Sequence, residues 1–412
     1  MPKADSPTGF KPLVDTALFT PFKLGSLQLE HSIVQAPLTR MRSTKESEGV
    51  TVPSDLNIEY YAQRANRGGL QLTEATDIAK FAGGYPGALG IFTDSQIAGW
   101  KRVTDGVHAK GGFIFCQLWH TGRASPPSFR SRQQPVSSSD IPMEGSWADG
   151  TACAEHPPRA LTVDEIRQII KDFGSAAKKA REAGFDGIEI HGANGYLLDQ
   201  FLHDNVNNRT DQYGGSVENR VRLPLQVIEE CSKAIGADRV GIRLSPYNYF
   251  QSTKDSNPNK HWEYLCEKIA TMPQDVRPVY VHMVEPRFDE VLSEQAKLDA
   301  LSAYTSSGGS GVEAEATAKA PGNTLANFRA ILKNGGVSFI AAGGFDRENA
   351  VPKLEAGDAD LVIFGRWFIA NPDLPRRLAE GLKLNQYDRS TFYGGGAKGY
   401  TDYPCYWQEG AA

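Results

Sequence analysis

The sequence predicts an α/β fold, a (β/α)8 TIM barrel made by one chain, on three observations. Eight short apolar runs recur along it, most are followed by stretches of helical spacing, and polar or glycine residues gather just past the runs. Short apolar runs bounded by turn residues read as buried strands, and their alternation with helices implies a parallel sheet. Eight such units close into a barrel with its site at the C-terminal ends of the strands. A doubly wound open sheet is the competing arrangement; the strand count favours the barrel. The whole of 1–412 reads as a single domain.

Residues 1–17 read as a loose N-terminal arm. Residues 22–24 and 27–29 alternate around Gly25-Ser26, which predicts a β-hairpin ahead of the barrel. Strand one is expected over 33–36, running into Pro37-Leu38-Thr39-Arg40, and strand two over 70–73, running into Glu74, Ala75 and Thr76. Residues 93–109 predict a helix with Ile97, Trp100, Val103 and Val107 on one face and Gly111-Gly112 as its stop. Strand three, 113–118, continues into Trp119, His120 and Thr121. Residues 122–160, rich in Ser, Pro and Arg without a sustained period, form a long excursion after it.

Thr162 and Glu165 make a capping box. Ile166, Ile169, Ile170, Phe173, Ala177 and Ala180 then line one helix face up to Gly184. Strand four is 187–190. A helix over 216–235 is expected to kink at Pro224. Strand five is 240–244, a helix covers 262–270, strand six is 280–284, and strand seven, 339–342, ends in Gly343-Gly344. Asp346 is expected to cap a short helix stopping at Gly357. Strand eight, 361–364, ends in Gly365-Arg366, and Asn371-Pro372 is expected to open a last helix with Pro at its first position.

Composition narrows the function. Hydrophobic residues at 40% and charged residues at 23% belong to a soluble protein with a sizeable core. A net charge of -5 without a basic run argues against nucleic acid. Cys116, Cys153, Cys231, Cys266 and Cys405 are odd in number with no CxxC pair, so neither a disulfide framework nor a zinc site is expected, and a reducing, cytoplasmic setting fits. Residues 1–10 lack an apolar targeting core, and no run is long enough to span a bilayer.

The richest strand end is His191-Gly192-Ala193-Asn194-Gly195-Tyr196. An imidazole and an amide offer two hydrogen-bond donors to an oxygen, and a phenol offers a proton. A histidine alone would more often cap the strand; three polar groups clustered past a buried strand point to chemistry. The other ends supply Thr39, Glu74-Ala75, Gln117 with Trp119, Arg243, Gly343-Gly344 and Gly365-Arg366. Barrels often hold a phosphate on backbone amides after strands seven and eight, where glycine admits close approach and Arg366 would add charge-assisted bonds. There is no HExxH and no GxSxG, and the formal GxGxxG match at 394–399 has no following βαβ unit. No strand end supplies the lysine an aldolase would use. A phosphate cradle with donors and an arginine, lacking a metal set, suits a barrel that holds flavin mononucleotide.

Several motifs closely resemble the Old Yellow Enzyme family of flavin ene-reductases. They are Ala36-Pro37-Leu38-Thr39-Arg40, Gln117-Leu118-Trp119-His120-Thr121-Gly122-Arg123 and the stretch from His191 through Leu197. Asn208-Arg209-Thr210-Asp211-Gln212-Tyr213-Gly214-Gly215-Ser216 with Glu218-Asn219-Arg220 is nearly diagnostic, and Arg243-Leu244-Ser245-Pro246 and Thr391-Phe392-Tyr393 extend the match across roughly 18–405. The resemblance implies FMN at the mouth and NADPH as reductant. Pro37 and Thr39 would lie beside the flavin with the Thr39 hydroxyl at O4, Gln117 at the pyrimidine edge and Arg243 near N1 and O2. Ala75 would admit the ring edge, and Gly343, Gly344, Gly365 and Arg366 would take the phosphate. His191 and Asn194 would bind the carbonyl oxygen of an α,β-unsaturated carbonyl substrate, an enone or enal. Hydride would pass from flavin N5 to the β-carbon, and Tyr196 would protonate the α-carbon. Trp119, Tyr85, Phe250 and Tyr393 resemble the family's substrate-shaping aromatics.

Thr39 stands where one branch of the family has cysteine, which places the chain beside the threonine-bearing, fungal-like branch. The segment 288–326 departs from the family pattern. The implied activity is that of an NADPH-dependent ene-reductase acting as monomer or homodimer, without nucleic-acid or membrane partners. Two other readings compete: a flavin-dependent alkene isomerase or specialised enal reductase, and a binding barrel that has lost its flavin. Tyr196 favours reduction over isomerisation, and the intact set of Thr39, Gln117, Arg243 and Arg366 disfavours loss of flavin.

Overall fold

A closed ring of eight parallel strands carries the site. The structure, a computed structural model, describes residues 10–147, 149–248, 250–286 and 324–406. Residues 1–9 of the expected arm and most of the divergent 288–326 segment lie outside the described residues. A hairpin comes first, β1 (Phe22–Leu24) against β2 (Leu27–Leu29), in the expected register. The barrel strands are β3 (Ile33–Gln35), β6 (Leu70–Leu72), β9 (Phe113–Trp119), β12 (Gly187–Gly192), β13 (Val240–Leu244), β14 (Tyr280–Val284), β15 (Ser338–Ala342) and β16 (Leu361–Phe364). Each pairs in parallel with the next, β16 pairs with β3, and β9 pairs with β12 to complete the ring.

Alternation along each strand divides the core in two. Ile33, Ile114, Cys116, Ile188, Ile190, Val240, Ile242, Val281, Phe339 and Val362 pack outward against the helices. Val34, Leu70, Leu72, Phe115, Tyr280, Ile340, Leu361 and Ile363 point inward and are floored by Leu24, Leu27 and Leu29 of the hairpin. The hairpin therefore plugs the N-terminal end of the barrel, leaving the C-terminal end as the mouth.

Several elements were absent from the sequence reading. Between β3 and β6 lie a second hairpin, β4 (Thr44–Ser47) with β5 (Val50–Val52), and helix α1 (Asp55–Arg64), capped by Ser54 and Asn57. Short strands β7 (Thr76–Asp77) and β8 (Leu89–Gly90) extend the sheet beside the end of β9. Helix α2 (Asp94–His108) follows as expected. The 122–160 excursion is laced together by β10 (Val136–Ser137) against β11 (Arg159–Ala160), and α3 (Val163–Glu182) opens on the Thr162–Glu165 capping box. A short α4 (Leu197–Leu202) follows β12.

Four helix expectations need correction. The helix after α4 breaks at Val221, not at Pro224, giving α5 (Val217–Arg220) and α6 (Arg222–Ile235). Pro224 sits in the first turn of α6, where its missing N–H leaves no intrahelical bond unmade. Helix α7 (Pro258–Ala270) starts a turn earlier than expected because Asn257 accepts the Lys260 N–H, and α8 (Ala326–Asn334) packs against it. Asp346 caps a turn, accepting the N–H groups of Glu348 and Asn349, while α9 (Ala350–Glu355) begins beyond it. Asn371-Pro372 falls between α10 (Arg366–Ala370) and α11 (Leu374–Glu380), and it is Pro375 that occupies the first turn of α11. At the N-terminus, the Leu13 N–H donates to Leu378 O at 3.1 Å, tying that part of the expected arm to α11. Among the described residues no helix is long and apolar enough to cross a membrane. All five cysteines are buried, and none is in a disulfide.

Candidate active site

His191 sits on the inward face of β12 near its C-terminal end, opposite Arg243 in the register with β13. Burial pushes its pKa well below the ordinary value, reinforced by the positive charge of Arg243 and by His282. The imidazole is therefore neutral. Its Nδ1 accepts the Ala193 N–H at 3.4 Å, which leaves the proton on Nε2 as a donor. The chain then turns through Asn194 (φ 58) and Gly195 (φ 74). A Cβ at Gly195 would lie 2.6 Å from Phe250 O, so the close approach of the two segments requires glycine there. The Asn194 N–H donates to Ser245 Oγ at 2.8 Å, fixing the turn to the end of β13.

Tyr196 follows at the start of α4. Its ring meets His191 edge-on at 4.9 Å and Trp119 edge-on at 4.8 Å. Trp119, the last residue of β9, stacks on Tyr85 at 5.6 Å. The Tyr85 phenol donates to Ala124 O at 2.9 Å. Burial raises its pKa to about 12 despite a hydrogen bond with Tyr196. Ala75 packs in the same cluster. Thus His191, Tyr196, Trp119, Tyr85 and Ala75, spread over more than a hundred residues of sequence, form one contiguous wall. Asn194 lies on the same turn.

The remaining expected residues follow other elements of the barrel. Pro37 and Thr39 are half-buried past β3, and the next residue, Arg40, donates its backbone N–H to buried Glu74 at 3.3 Å. Gly343 (φ 135) and Gly344 (φ 68) follow β15, while Gly365 precedes α10. A Cβ on Gly365 would meet Ala36 and Leu38 at an ordinary 3.7 Å, so the described neighbours do not demand glycine there. The Arg366 guanidinium lies over the Tyr387 ring at 5.6 Å. Phe250 is half-buried, and its carbonyl lies beside the turn at Gly195. Tyr393 is 66% exposed at the rim.

Arg243 lies opposite His191 and Gln117 one layer below, both buried. That layer contains residues the sequence reading passed over. Buried Glu189 accepts from Gln117 Nε2 at 2.7 Å, Tyr280 OH at 3.1 Å and His282 Nδ1 at 2.9 Å. Asp199 and Gln200 were also missed; Asp199 accepts the Gly195 N–H and Gln200 donates to the Gly195 carbonyl. The available signal was a charged or titratable residue at every-second spacing inside an apolar run, as in Gly187-Ile188-Glu189-Ile190 and Tyr280-Val281-His282-Met283.

A flavin fits these residues. Among the described residues Asn194 Oδ1 and Trp119 Nε1 are buried without a hydrogen-bond partner, and nothing donates to Gln117 Oε1. A planar ligand with a polar pyrimidine edge answers that donor and acceptor set, above a fixed guanidinium at Arg243.

The family described as NADH:flavin oxidoreductase / NADH oxidase matches residues 17–385. The chain belongs to that family, the Old Yellow Enzymes. It is 60% identical to the flavin oxidoreductase hxnT of Emericella nidulans over 389 residues, 94% of this chain and 97% of that protein. It is 44% identical to 12-oxophytodienoate reductase 2 of Arabidopsis thaliana, over 94% of this chain and 95% of the plant protein. In three dimensions it matches morphinone reductase in complex with tetrahydroNAD at a TM-score of 0.79 and 40% identity, covering 95% of this chain and 98% of that one. As an Old Yellow Enzyme, the protein is an FMN-dependent oxidoreductase on a TIM barrel, as its motifs had implied.

Proposed function

We propose that the protein is an NADPH-dependent ene-reductase that reduces the activated C=C bond of enones and enals. The observation that carries this reading is the wall of His191 and Tyr196 against Trp119, with Asn194 on the same buried turn. Its relatives named 12-oxophytodienoate reductase and morphinone reductase, one of them seen with a reduced nicotinamide, support the reaction class. When bound, FMN would supply the hydride for the β-carbon, with NADPH as its source.

The residues divide the remaining work. Neutral His191, through Nε2–H, and the Asn194 amide hold the substrate carbonyl oxygen and bind it more tightly as it gains negative charge. Tyr196 delivers a proton to the α-carbon from the opposite side of the alkene. The Tyr85 hydrogen bond orients that phenol, and Trp119 limits how far the substrate can tilt. Thr39, Gln117 and Arg243 would hold the isoalloxazine edge, with Pro37 and Ala75 alongside it. Gly343, Gly344, Gly365 and Arg366 would hold the phosphate. Phe250 and Tyr393 would border the substrate.

The test is anaerobic and has two halves. Protein reconstituted with FMN should become reduced on adding NADPH, and cyclohexenone should then reoxidise it, yielding the saturated ketone. A protein that stays colourless with FMN, or that rearranges the alkene while consuming no NADPH, rejects the reading.

A further inference from the structure

Glu189 is a buried carboxylate that the reaction above does not use. It points into the barrel from β12, level with Gln117 of β9 and one step below His191. Three donors converge on it, from Gln117, Tyr280 and His282. Burial works against its charge, but His282, Arg243 and the Gln117 bond outweigh that and hold its carboxyl below the usual range. Glu189 is thus ionised inside the barrel, among the buried polar side chains of Gln117, Arg243 and His282.

Two consequences follow for whatever rests on Gln117. The two ends of a side-chain amide are nearly alike in shape and differ in that one donates and the other accepts. An ionised carboxylate accepts only, so Glu189 selects the Gln117 nitrogen and turns Oε1 away from itself. Oε1 has no donor among the described residues, which makes it an acceptor available to the N–H of a pyrimidine edge. The second consequence is electrostatic. Arg243 neighbours both His191 and His282 in register, and the negative charge of Glu189 partly offsets its positive one.

We propose that Glu189 is a positioning residue for FMN, fixing the Gln117 amide with its acceptor toward the flavin and holding the flavin's reduction potential down. The inference rests on the reading that FMN occupies this mouth with Gln117 at its pyrimidine edge. It extends the site one layer into the barrel and gives a role to a side chain that touches no substrate.

The experiment uses apoprotein titrated with FMN and an equilibrium redox titration of the loaded protein, neither of which depends on turnover. Glu189→Gln should weaken FMN binding about tenfold, the loss of a charged hydrogen-bond arrangement. It should also move the midpoint potential upward, because removing the negative charge favours the electron-rich reduced flavin. Glu189→Asp keeps the charge but withdraws it from Gln117, so affinity should fall while the potential stays close to the parent value. In a Gln117→Leu background, Glu189→Gln should cause no further loss of affinity. Unchanged affinity and potential in Glu189→Gln, or an equal affinity loss with and without Gln117, overturns the proposal. If Glu189→Gln does not fold, an unchanged FMN affinity in Glu189→Asp overturns it instead. Gln117→Leu binding FMN as tightly as the parent would instead defeat the placement of the flavin itself.

Discussion

Asp199 accepts the Gly195 N–H at 2.8 Å through Oδ2 and meets His203 Nε2 at 3.2 Å through Oδ1. Gln200 holds the other side of the same residue, donating to Gly195 O at 2.7 Å. Gly195 stands between Asn194 and Tyr196, so these two residues of α4 set where the amide and the phenol point. Both are fully buried, and neither reaches the mouth.

The pair of Asp199 and His203 should make stability depend on pH. Burial opposes charge on His203, but the Asp199 carboxylate outweighs it and raises the imidazole pKa. A raised folded pKa adds stability that is fully present below the unfolded value of about 6.5 and is lost as pH rises through the folded value. Asp199→Asn should lower unfolding free energy by about 3 kcal/mol at low pH, with the deficit shrinking as pH rises. Urea denaturation from about pH 6 to about pH 8 measures this; a deficit independent of pH would reject it. His108, also raised by its bond to Asp186, is common to both proteins and cancels.

Tyr196→Phe should slow the alkene half-reaction by about 100-fold, the scale of a lost general acid. Flavin reduction by NADPH should change little, because no proton to carbon is needed there. Stopped-flow measurement of the two halves checks it. Equal losses in both would remove Tyr196 as the proton donor.

His191→Ala or Asn194→Ala should raise the barrier to alkene reduction by about 3 kcal/mol. Titration with p-hydroxybenzaldehyde reads the same donors without turnover: its long-wavelength charge-transfer band should weaken in either variant. Because burial keeps His191 neutral, no histidine titration should appear in that binding between about pH 6 and about pH 8.

Gly241→Ala should destabilise the barrel. A Cβ there would lie 2.1 Å from the Tyr280 ring, which is fully buried and has nowhere to retreat. Overpacking of this kind costs about 1–3 kcal/mol. The displaced ring would also pull its hydroxyl from Glu189. A lowered urea midpoint with an unchanged slope is the expected result; an unchanged midpoint would show that the strand accommodates the methyl group.

The barrel was legible because its strands are buried on both faces. Such strands read as mostly apolar runs, and all eight lie within a residue or two of their expected limits. Helix α1 was not, since the face it buries is Asn57, Tyr60, Tyr61 and Arg64 rather than an aliphatic stripe. Arg64 instead bonds the carbonyls of Phe368 and Ile369, more than three hundred residues away.

For the site, the sequence by itself determined the chemical groups and the strand ends that bear them: His191, Asn194, Tyr196, Gln117 and Arg243. Only the tertiary structure decided what each one touches. Pairing of β9 with β12 brings Gln117 level with Glu189, and the register of β13 with β14 sets Arg243 beside His282. Hydrogen bonds that cross a closed barrel join residues 72 to 93 positions apart. Such contacts leave no periodic trace in the chain, because they depend on how the strands tilt and close and not on any local spacing.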